Sequence, residues 1–378
     1  MVMNNLKGAT LFEHLSEIED PRRELTKLHK LIDILVIAVC ASVCGAEGFN
    51  EIEEFGESKE EWLKGFLELP NGIPSHDTFR RVFMLIKPEK FQEVFLRWVE
   101  SVSSRTKGKL VNLDGKRLRG TKSKEKQNQA LCMVSAWSEE NRMVLGQVRC
   151  EEKSNEITAI PELLSLLELS GCIVTIDAMG CQREIVKQIV EQKADYVISL
   201  KGNQGNLHKE IKEYFIWAER ISWRDIEFDY CETIEKGHGR IETRRCWVTE
   251  DIDWLEQKED WSGLKSIVMV ESQREVIDGK TSIERRYFIS SLSKDAKESL
   301  RAVRGHWAIE NSLHWVLDIS FREGDCRIRA ENSAENMAIV RHISLNLLKQ
   351  EKSCKRGIKT KRLKSGWDEA YLSKVLNI

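Results

Sequence analysis

Val111-Asn-Leu-Asp114 and Cys172-Ile-Val-Thr-Ile-Asp177 are two short apolar runs, each closed by an aspartate. Runs this short, rich in aliphatic and β-branched side chains and ended by a polar group, read as buried strands. Between them lie two further strand-like runs, 129–137 and 143–150, separated by the turn Ser138-Glu-Glu-Asn141. An amphipathic helix follows over 157–169, with Pro161 in its first turns. After Asp177 come a helix over 183–192 and the strand Tyr196-Val-Ile-Ser-Leu200. The order β-β-β-α-β-α-β is an α/β layout. It places acids at the ends of the first and fourth strands, where sheets tend to carry ligand sites.

A third acid, Glu310, sits in Arg304-Gly-His-Trp-Ala-Ile-Glu310-Asn-Ser-Leu-His-Trp315, a stretch with helical periodicity. Two carboxylates on strand ends and one on a later helix can converge on a pair of divalent cations. Such a pair stabilises the attacking and leaving oxygens of an in-line phosphoryl displacement. Carboxylate and water ligands suit Mg2+ or Mn2+. This is the chemistry of cutting and joining nucleic acid. His306, Glu310 and His314 share a helical face, but the His-Glu-x-x-His spacing of a zinc protease is absent. Asp318, Glu323 and Asp325 are the acids that would replace Glu310 as third ligand.

With 378 residues, 41% hydrophobic and 32% charged, the chain has the length for two or three domains and an ordinary soluble composition. No apolar run approaches the roughly 20 residues that cross a bilayer, and the N-terminus lacks a signal-peptide pattern. A cytoplasmic location is expected. The ten cysteines form no Cys-x-x-Cys pair, which points to reduced, structural thiols. Net charge is only −2, yet charge is unevenly spread. Arg105 to Lys126 holds nine Lys/Arg against Asp114 and Glu125, and Lys349 to Lys364 holds eight against Glu351. Acid concentrates in Glu47 to Glu61, with seven Glu and one Lys. Such basic patches suit phosphate contacts or, equally, solvated surfaces and a disordered tail.

The expected organisation is a small helical domain over 1–104, a first core segment over 105–202 and a β-rich insertion over 203–292. Glu-bearing core helices follow over 293–350, then a basic C-terminal tail over 351–378. Leu28, Leu31, Ile32, Leu35, Val36 and Val39 give a helical stripe in the first domain. Ser75 or Asp77 would cap a helix running through Phe83. This domain is a candidate DNA-binding module. The insertion carries five of the eleven tryptophans and strand-like runs at Arg240–Val248, Lys265–Glu271 and Arg285–Ser290.

Each motif has two readings. In Asp114-Gly-Lys-Arg-Leu-Arg119-Gly, the cations could grip phosphates beside a metal, or form a turn of solvated charges. Asp177-Ala-Met-Gly180 could hold a metal or cap a helix, a cap contributing about 1 kcal/mol. Lys201-Gly-Asn-Gln204-Gly is either a substrate contact on the same sheet edge or a flexible loop. Lys236-Gly-His238-Gly-Arg240 with Arg244 and Arg245 is either a basic hairpin for phosphates or an exposed turn.

Together, Val111–Gly120, Thr175–Gln182, Leu200–Gln204, Gly237–Arg244 and His306–Asp318, with Pro74-Ser-His-Asp77-Thr-Phe, resemble the DDE transposases of bacterial insertion sequences. The group concerned includes the H-repeat-associated proteins, and the resemblance runs over nearly the whole chain. It implies an RNase H-like catalytic core with a β-rich insertion before the Glu-bearing helix, preceded by the small helical domain. It implies two Mg2+ ions, with Mn2+ as a substitute, and carries the acidic triad onto Asp114, Asp177 and Glu310. In a related branch the Glu sits in Tyr-x-x-Arg-x-x-x-Glu-x-x-x-x-x-x-Lys; here those positions are Val303, His306, Glu310 and Leu317, so only the Glu matches.

The expected function is a DNA transposase that cuts at an element's ends and joins the freed 3′-hydroxyl to target DNA. Lys116, Arg119, Lys201, Arg240 and Arg244 are candidates for backbone contacts, and His306 and Trp307, beside Glu310, for further DNA contact. The partners implied are double-stranded DNA and further copies of the chain, in a homodimer or larger synaptic assembly. Such a protein would be nucleoid-associated when bound. Two alternatives are an RNase H-like endonuclease that cuts without joining, and a non-transposing DNA-binding protein derived from a transposase.

Overall fold

The computed structural model describes residues 10–103, 109–122, 129–150, 156–237, 239–276 and 279–378. Nine strands form one mixed sheet: β1 (Leu110–Leu118), β2 (Leu131–Ser138), β3 (Met143–Arg149), β4 (Ile173–Ile176), β5 (Asp195–Leu200), β6 (Phe228–Gly237), β7 (Arg240–Thr249), β8 (Ser266–Val276) and β9 (Thr281–Ser290). Their order is β3-β2-β1-β4-β5-β9-β8-β7-β6. The β1–β2 and β2–β3 pairs are antiparallel, while β4 and β5 run parallel to β1. Parallel neighbours need crossover connections, supplied here by the helices Glu156–Ser165 and Arg183–Glu191.

The insertion extends this sheet. Its strands form an antiparallel meander, β6 to β9, and β9 pairs with β5. It begins with a 16-residue helix, Gly205–Arg220, that the strand-seeking reading of this stretch passes over. That helix buries Leu207, Ile211, Tyr214, Phe215 and Ala218, a 3.6-residue stripe.

Strand parity decides what each face carries. Val111, Leu113, Val174, Ile176, Ile198 and Leu200 pack against the helices Glu156–Ser165, Arg183–Glu191 and Gly205–Arg220. On the opposite face, Leu110, Ile173, Val197, Val268, Val270 and Phe288 pack against Ala296, Leu300, Ala302 and Val303. These last four belong to the helix Ala296–Ile309, whose Asp295 N-cap accepts from the Glu298 amide at 2.8 Å.

Helices from both chain ends make a third layer. Leu31–Cys44 is buried almost all round, which exceeds the single stripe its sequence suggests. Leu28 lies outside it and is exposed. The helix Leu31–Cys44 packs against the helices Ser333–Gln350 and Ile358–Trp367, in one core with Ile309, Leu313, Leu317 and Phe321. Ser75 is the cap of the helix His76–Leu85. The segment read as a basic tail forms two helices, Ile358–Trp367 and Glu369–Leu376. Arg362, buried over Phe321, ties them to Leu31–Cys44 by donating to the Ser42 carbonyl at 2.8 Å, which also accepts from the Gly45 amide at 3.4 Å. No single described helix is long and apolar enough to cross a membrane. All ten cysteines are free.

Candidate active site

The last parallel pair between β1 and β4 is Leu113 with Ile176. One residue further along each strand are Asp114 and Asp177, so the register sets the two aspartates side by side. Both follow, at a spacing of two, a polar residue on the same face: Asn112 precedes Asp114 and Thr175 precedes Asp177. Asp114 is not at a strand end. β1 stays paired with β2 through Leu118, so Asp114 stands where the parallel ladder stops and the antiparallel one continues. Asp177 does leave its strand. Its Oδ1 accepts from the amides of Met179 (2.9 Å) and Gly180 (3.3 Å), capping a short 3-10 turn. Metal-ligand and cap readings are compatible here, because both amides use the same oxygen.

Glu310 opens a π-helical turn, Glu310–His314, between the helices Ala296–Ile309 and Trp315–Ser320. Such turns often mark functional positions. Ile309 and Leu313, buried in the helical core, anchor the turn from behind. Across the sheet, Asn112 Nδ2 donates to the Gly305 carbonyl at 2.9 Å, and its Oδ1 accepts from Thr175 Oγ1 at 2.7 Å. Thr175 Oγ1 also lies 3.1 Å from His306 Nδ1. The polar residues preceding the aspartates thus fasten the Glu310 helix to the sheet.

The three acids line one cavity of about 280 Å³, with Thr175, Ser199, Lys201, Arg286, His306 and Trp307 among its other walls. Carboxylate oxygens of Asp114 and Glu310 and a ring nitrogen of His314 lie within 4.8 Å of one another. That donor set fits a divalent cation. His314 Nδ1 is 3.4 Å from Asp114 Oδ2. Burial pushes the His306 imidazole below its ordinary range, against the opposing pull of Asp114, Asp177 and Glu310.

The sequence reading missed Glu156. Gly115 leaves room for its carboxyl: a Cβ at 115 would lie 2.2 Å from Glu156 Cδ. Burial, then the charges of Asp114 and Asp177, push that carboxyl up to about 7. No motif signals it, because it opens a helix about 40 residues from Asp114 in sequence. Asn112 and Thr175 had a signal, as polar residues inside apolar strands.

The candidate cations fall into two groups. Lys201 is exposed on the cavity wall, and its loop is tied to the Asp177 loop by Asn203 to the Ala178 carbonyl (2.6 Å) and Gln204 to the Cys181 carbonyl (2.8 Å). Arg119 is exposed beyond β1. Trp307 is half-exposed, with the Arg286 guanidinium 5.0 Å from its ring. Lys116, in contrast, is turned inward, 2.8 Å from Glu323 Oε2 and 2.9 Å from Asp318 Oδ1. Those two acids therefore hold Lys116 and stand outside the Asp114–Glu310–His314 group. Arg240 pairs with Glu242, and Arg244 with Glu242 and with Glu235 at 2.9 Å. His238, and the parts of the first basic run at 105–108 and 123–126, lie outside the described residues.

The solved cryo-EM structure of the piggyBac transposase synaptic complex with hairpin DNA aligns over 97% of this chain and 78% of that chain, with a TM-score of 0.44 and 11% identity. Residues 97–347 match the family model described as "Transposase DDE domain", and residues 12–99 one described as "DDE_Tnp_1-associated". The "Putative transposase YncI" of Escherichia coli O157:H7 is 43% identical over 370 residues, 97% of this chain and 94% of that protein. The "H repeat-associated putative transposase YhhI" of Escherichia coli (strain K12) is 41% identical over 372 residues, 97% of each. On the family match and these full-length relatives, the chain belongs to the DDE transposases, in the group that includes the H-repeat-associated proteins.

Proposed function

We propose that this protein cuts and joins double-stranded DNA at the ends of an insertion sequence by two-metal-ion phosphoryl transfer, with Asp114, Asp177 and Glu310 as the catalytic carboxylates. The observation that carries this reading is the shared cavity of the three acids, two of them adjacent through the Leu113–Ile176 register. In this reading β3-β2-β1-β4-β5 is an RNase H-like core, and the β6–β9 meander is the insertion before the Glu-bearing helix.

When bound, Mg2+ or Mn2+ at these carboxylates supplies Lewis-acid stabilisation of the attacking and leaving oxygens. Asp114 and Asp177 hold one face of the site rigidly, since Asp114 lies within a paired strand and Asp177 is fixed by two amides. Glu310 closes the site from the helix. Lys201, Arg119, His306 and Trp307 border it as DNA contacts, and Arg240 and Arg244 would reach phosphates from the hairpin by exchanging their glutamate partners. Lys116 serves the site from inside, through Asp318 and Glu323. DNA transposition joins two ends, so a homodimer or larger synaptic assembly is part of the reading.

The test is to incubate the purified protein with a DNA fragment carrying its own element's end, in Mg2+ or EDTA, and resolve products on a denaturing gel. Cleaved and joined products that need metal and vanish in Asp177→Ala are expected. Cleavage without joining would replace the transposase with an endonuclease, and binding without cleavage would reduce it to a DNA-binding protein.

A further inference from the structure

We infer that His314 is a fourth metal-binding residue, joining Asp114 and Glu310 through Nδ1, and that Glu323 sets its tautomer from behind. This rests on the reading of Asp114 and Glu310 as metal ligands and adds a nitrogen to an otherwise all-carboxylate site.

His314 lies four residues after Glu310 on the π turn. That turn bonds i to i+5 and so carries more than four residues per turn, which brings positions four apart close to alignment. Both side chains reach the same place: the Glu310 carboxylate, the Asp114 carboxylate and the His314 ring nitrogen fall within 4.8 Å. The imidazole is nearly fully buried and its Nδ1 faces Asp114 Oδ2.

The other ring nitrogen supplies an independent observation. His314 Nε2 is buried without a hydrogen-bond partner among the described residues, and so is Glu323 Oε1. Both residues line a small cavity of about 10 Å³ with Lys116, Gln147 and His342; the Gln147 side-chain amide and His342 Nδ1 are likewise without a hydrogen-bond partner among the described residues, and Arg341 lies 3.7 Å from Glu323 Oε1. The cavity is the size of a single-water site, and such a water needs the polar partners this cavity offers. A neutral imidazole has one N–H and one lone pair. With such a water accepting from Nε2 and donating to Glu323 Oε1, Nε2 is the nitrogen that carries the hydrogen. The lone pair is then left on Nδ1, aimed at Asp114 and Glu310. A carboxylate fixing a metal-bound histidine in this way is a recurrent arrangement, and losing it weakens metal binding by about 10- to 100-fold.

The chemical consequence is a changed preference. Imidazole suits transition metals, whereas Mg2+ favours oxygen ligands. The site should therefore bind Mn2+ more tightly than Mg2+, by a margin that His314→Gln removes and Glu323→Gln reduces.

Pulsed electron paramagnetic resonance of Mn2+ bound to the wild-type protein, with and without duplex DNA, tests this without any turnover. A directly bound imidazole nitrogen gives a modulation that changes when the protein is labelled with 15N-histidine. We expect that modulation in the wild type, its loss in His314→Gln and its retention in His306→Gln. If His314→Gln does not fold, wild type and His306→Gln together still decide, because His306 is the histidine that lines the cavity with the acids, and His314 the one whose ring nitrogen lies within 4.8 Å of the Asp114 and Glu310 carboxylates. Bound Mn2+ without a nitrogen signal, or a signal lost in His306→Gln, would overturn the role of His314 and leave the carboxylate site standing. Absence of bound Mn2+ from the wild type under both conditions would overturn both readings.

Discussion

Lys116 Nζ lies 3.3 Å from the carbonyl oxygen of His314, so the strand that carries Asp114 is bonded directly to the turn that carries Glu310. The same ammonium meets Glu323, which Arg341 approaches at 3.7 Å. Burial would raise the Glu323 carboxyl, but Lys116, then Arg341 and His342, hold it below its ordinary range. Removing Lys116 strands a buried carboxylate. Lys116→Met should cost about 3 kcal/mol of stability, the lower end for a broken buried pair, because Arg341 remains. Pairing it with Glu323→Leu should recover part of that loss. Denaturant unfolding of the two single variants and the double checks this, and strict additivity would show that the pair is uncoupled.

Gly120 is pressed against the turn that follows Glu323. A Cβ there would lie 2.2 Å from the Cys326 carbonyl oxygen and 2.9 Å from the Asp325 carbonyl carbon, both backbone atoms that cannot rotate aside. Gly120→Ala should destabilise by about 1–3 kcal/mol through overpacking. It should also lower strand cleavage, since the displaced turn carries Glu323 and with it Lys116. Gly202→Ala, with nothing within 4 Å of its Cβ, is the control and should melt within a degree or two of wild type. Equal melting temperatures for the two variants would show that the Gly120 contact is not tight in solution.

His342 gives the stability a defined pH signature. Burial holds its imidazole at about 4, below the ordinary 6.5, so the native protein keeps it neutral. Between those values the unfolded chain takes up a proton that the folded one refuses, and stability falls as pH drops through that window. A shift of that size corresponds to about 3 kcal/mol at most. Burial raises the carboxyls of Glu156 and Glu335 to about 7, which acts in the opposite sense over a similar range. The informative quantity is therefore the difference between wild type and His342→Gln. Wild type should lose more stability than the variant from pH 7 to pH 4, measured by denaturant unfolding. Parallel curves would show that His342 titrates normally.

The cations should separate by what holds them. Lys201, exposed on the cavity wall, is free to neutralise a phosphate. Lys201→Gln should weaken DNA binding uniformly across sequences and reduce the slope of log affinity against log salt by about 1. Arg244 is occupied by Glu235 and Glu242, so Arg244→Gln should change that slope by less. Binding measured by fluorescence anisotropy across a salt series distinguishes the two. The reverse ranking would mean that DNA opens the hairpin's ion pairs and that the Lys201 loop stays clear of the backbone.

The alternation of elements was legible in the sequence because it is local. Apolar runs of four to six residues ending in an acid, and stripes of period 3.6, report strand and helix without knowledge of partners. The insertion strands β7, β8 and β9 were visible for the same reason. The helix Gly205–Arg220 was passed over inside a stretch read as β-rich, and β6 carries the exposed polar residues of an edge strand. Residues 351–378 read as a basic tail because eight Lys/Arg fall between Lys349 and Lys364. Arg362 is buried there because it bonds the Ser42 and Ser320 carbonyls, 320 and 42 positions earlier, and packs over Phe321.

By itself, then, the sequence carried the family, the alternation of strands and helices as far as β5, and the choice of acids on which the proposed site rests. It did so because pleat parity and short motifs are properties of neighbouring residues. Only the tertiary structure decided which cations are spent on internal carboxylates, that Glu156 crowds the aspartates, and that His314 faces Asp114. Each of those depends on side chains 40 to 210 positions apart meeting across the sheet. Their mutual distances follow from how the helices pack, which no local pattern records.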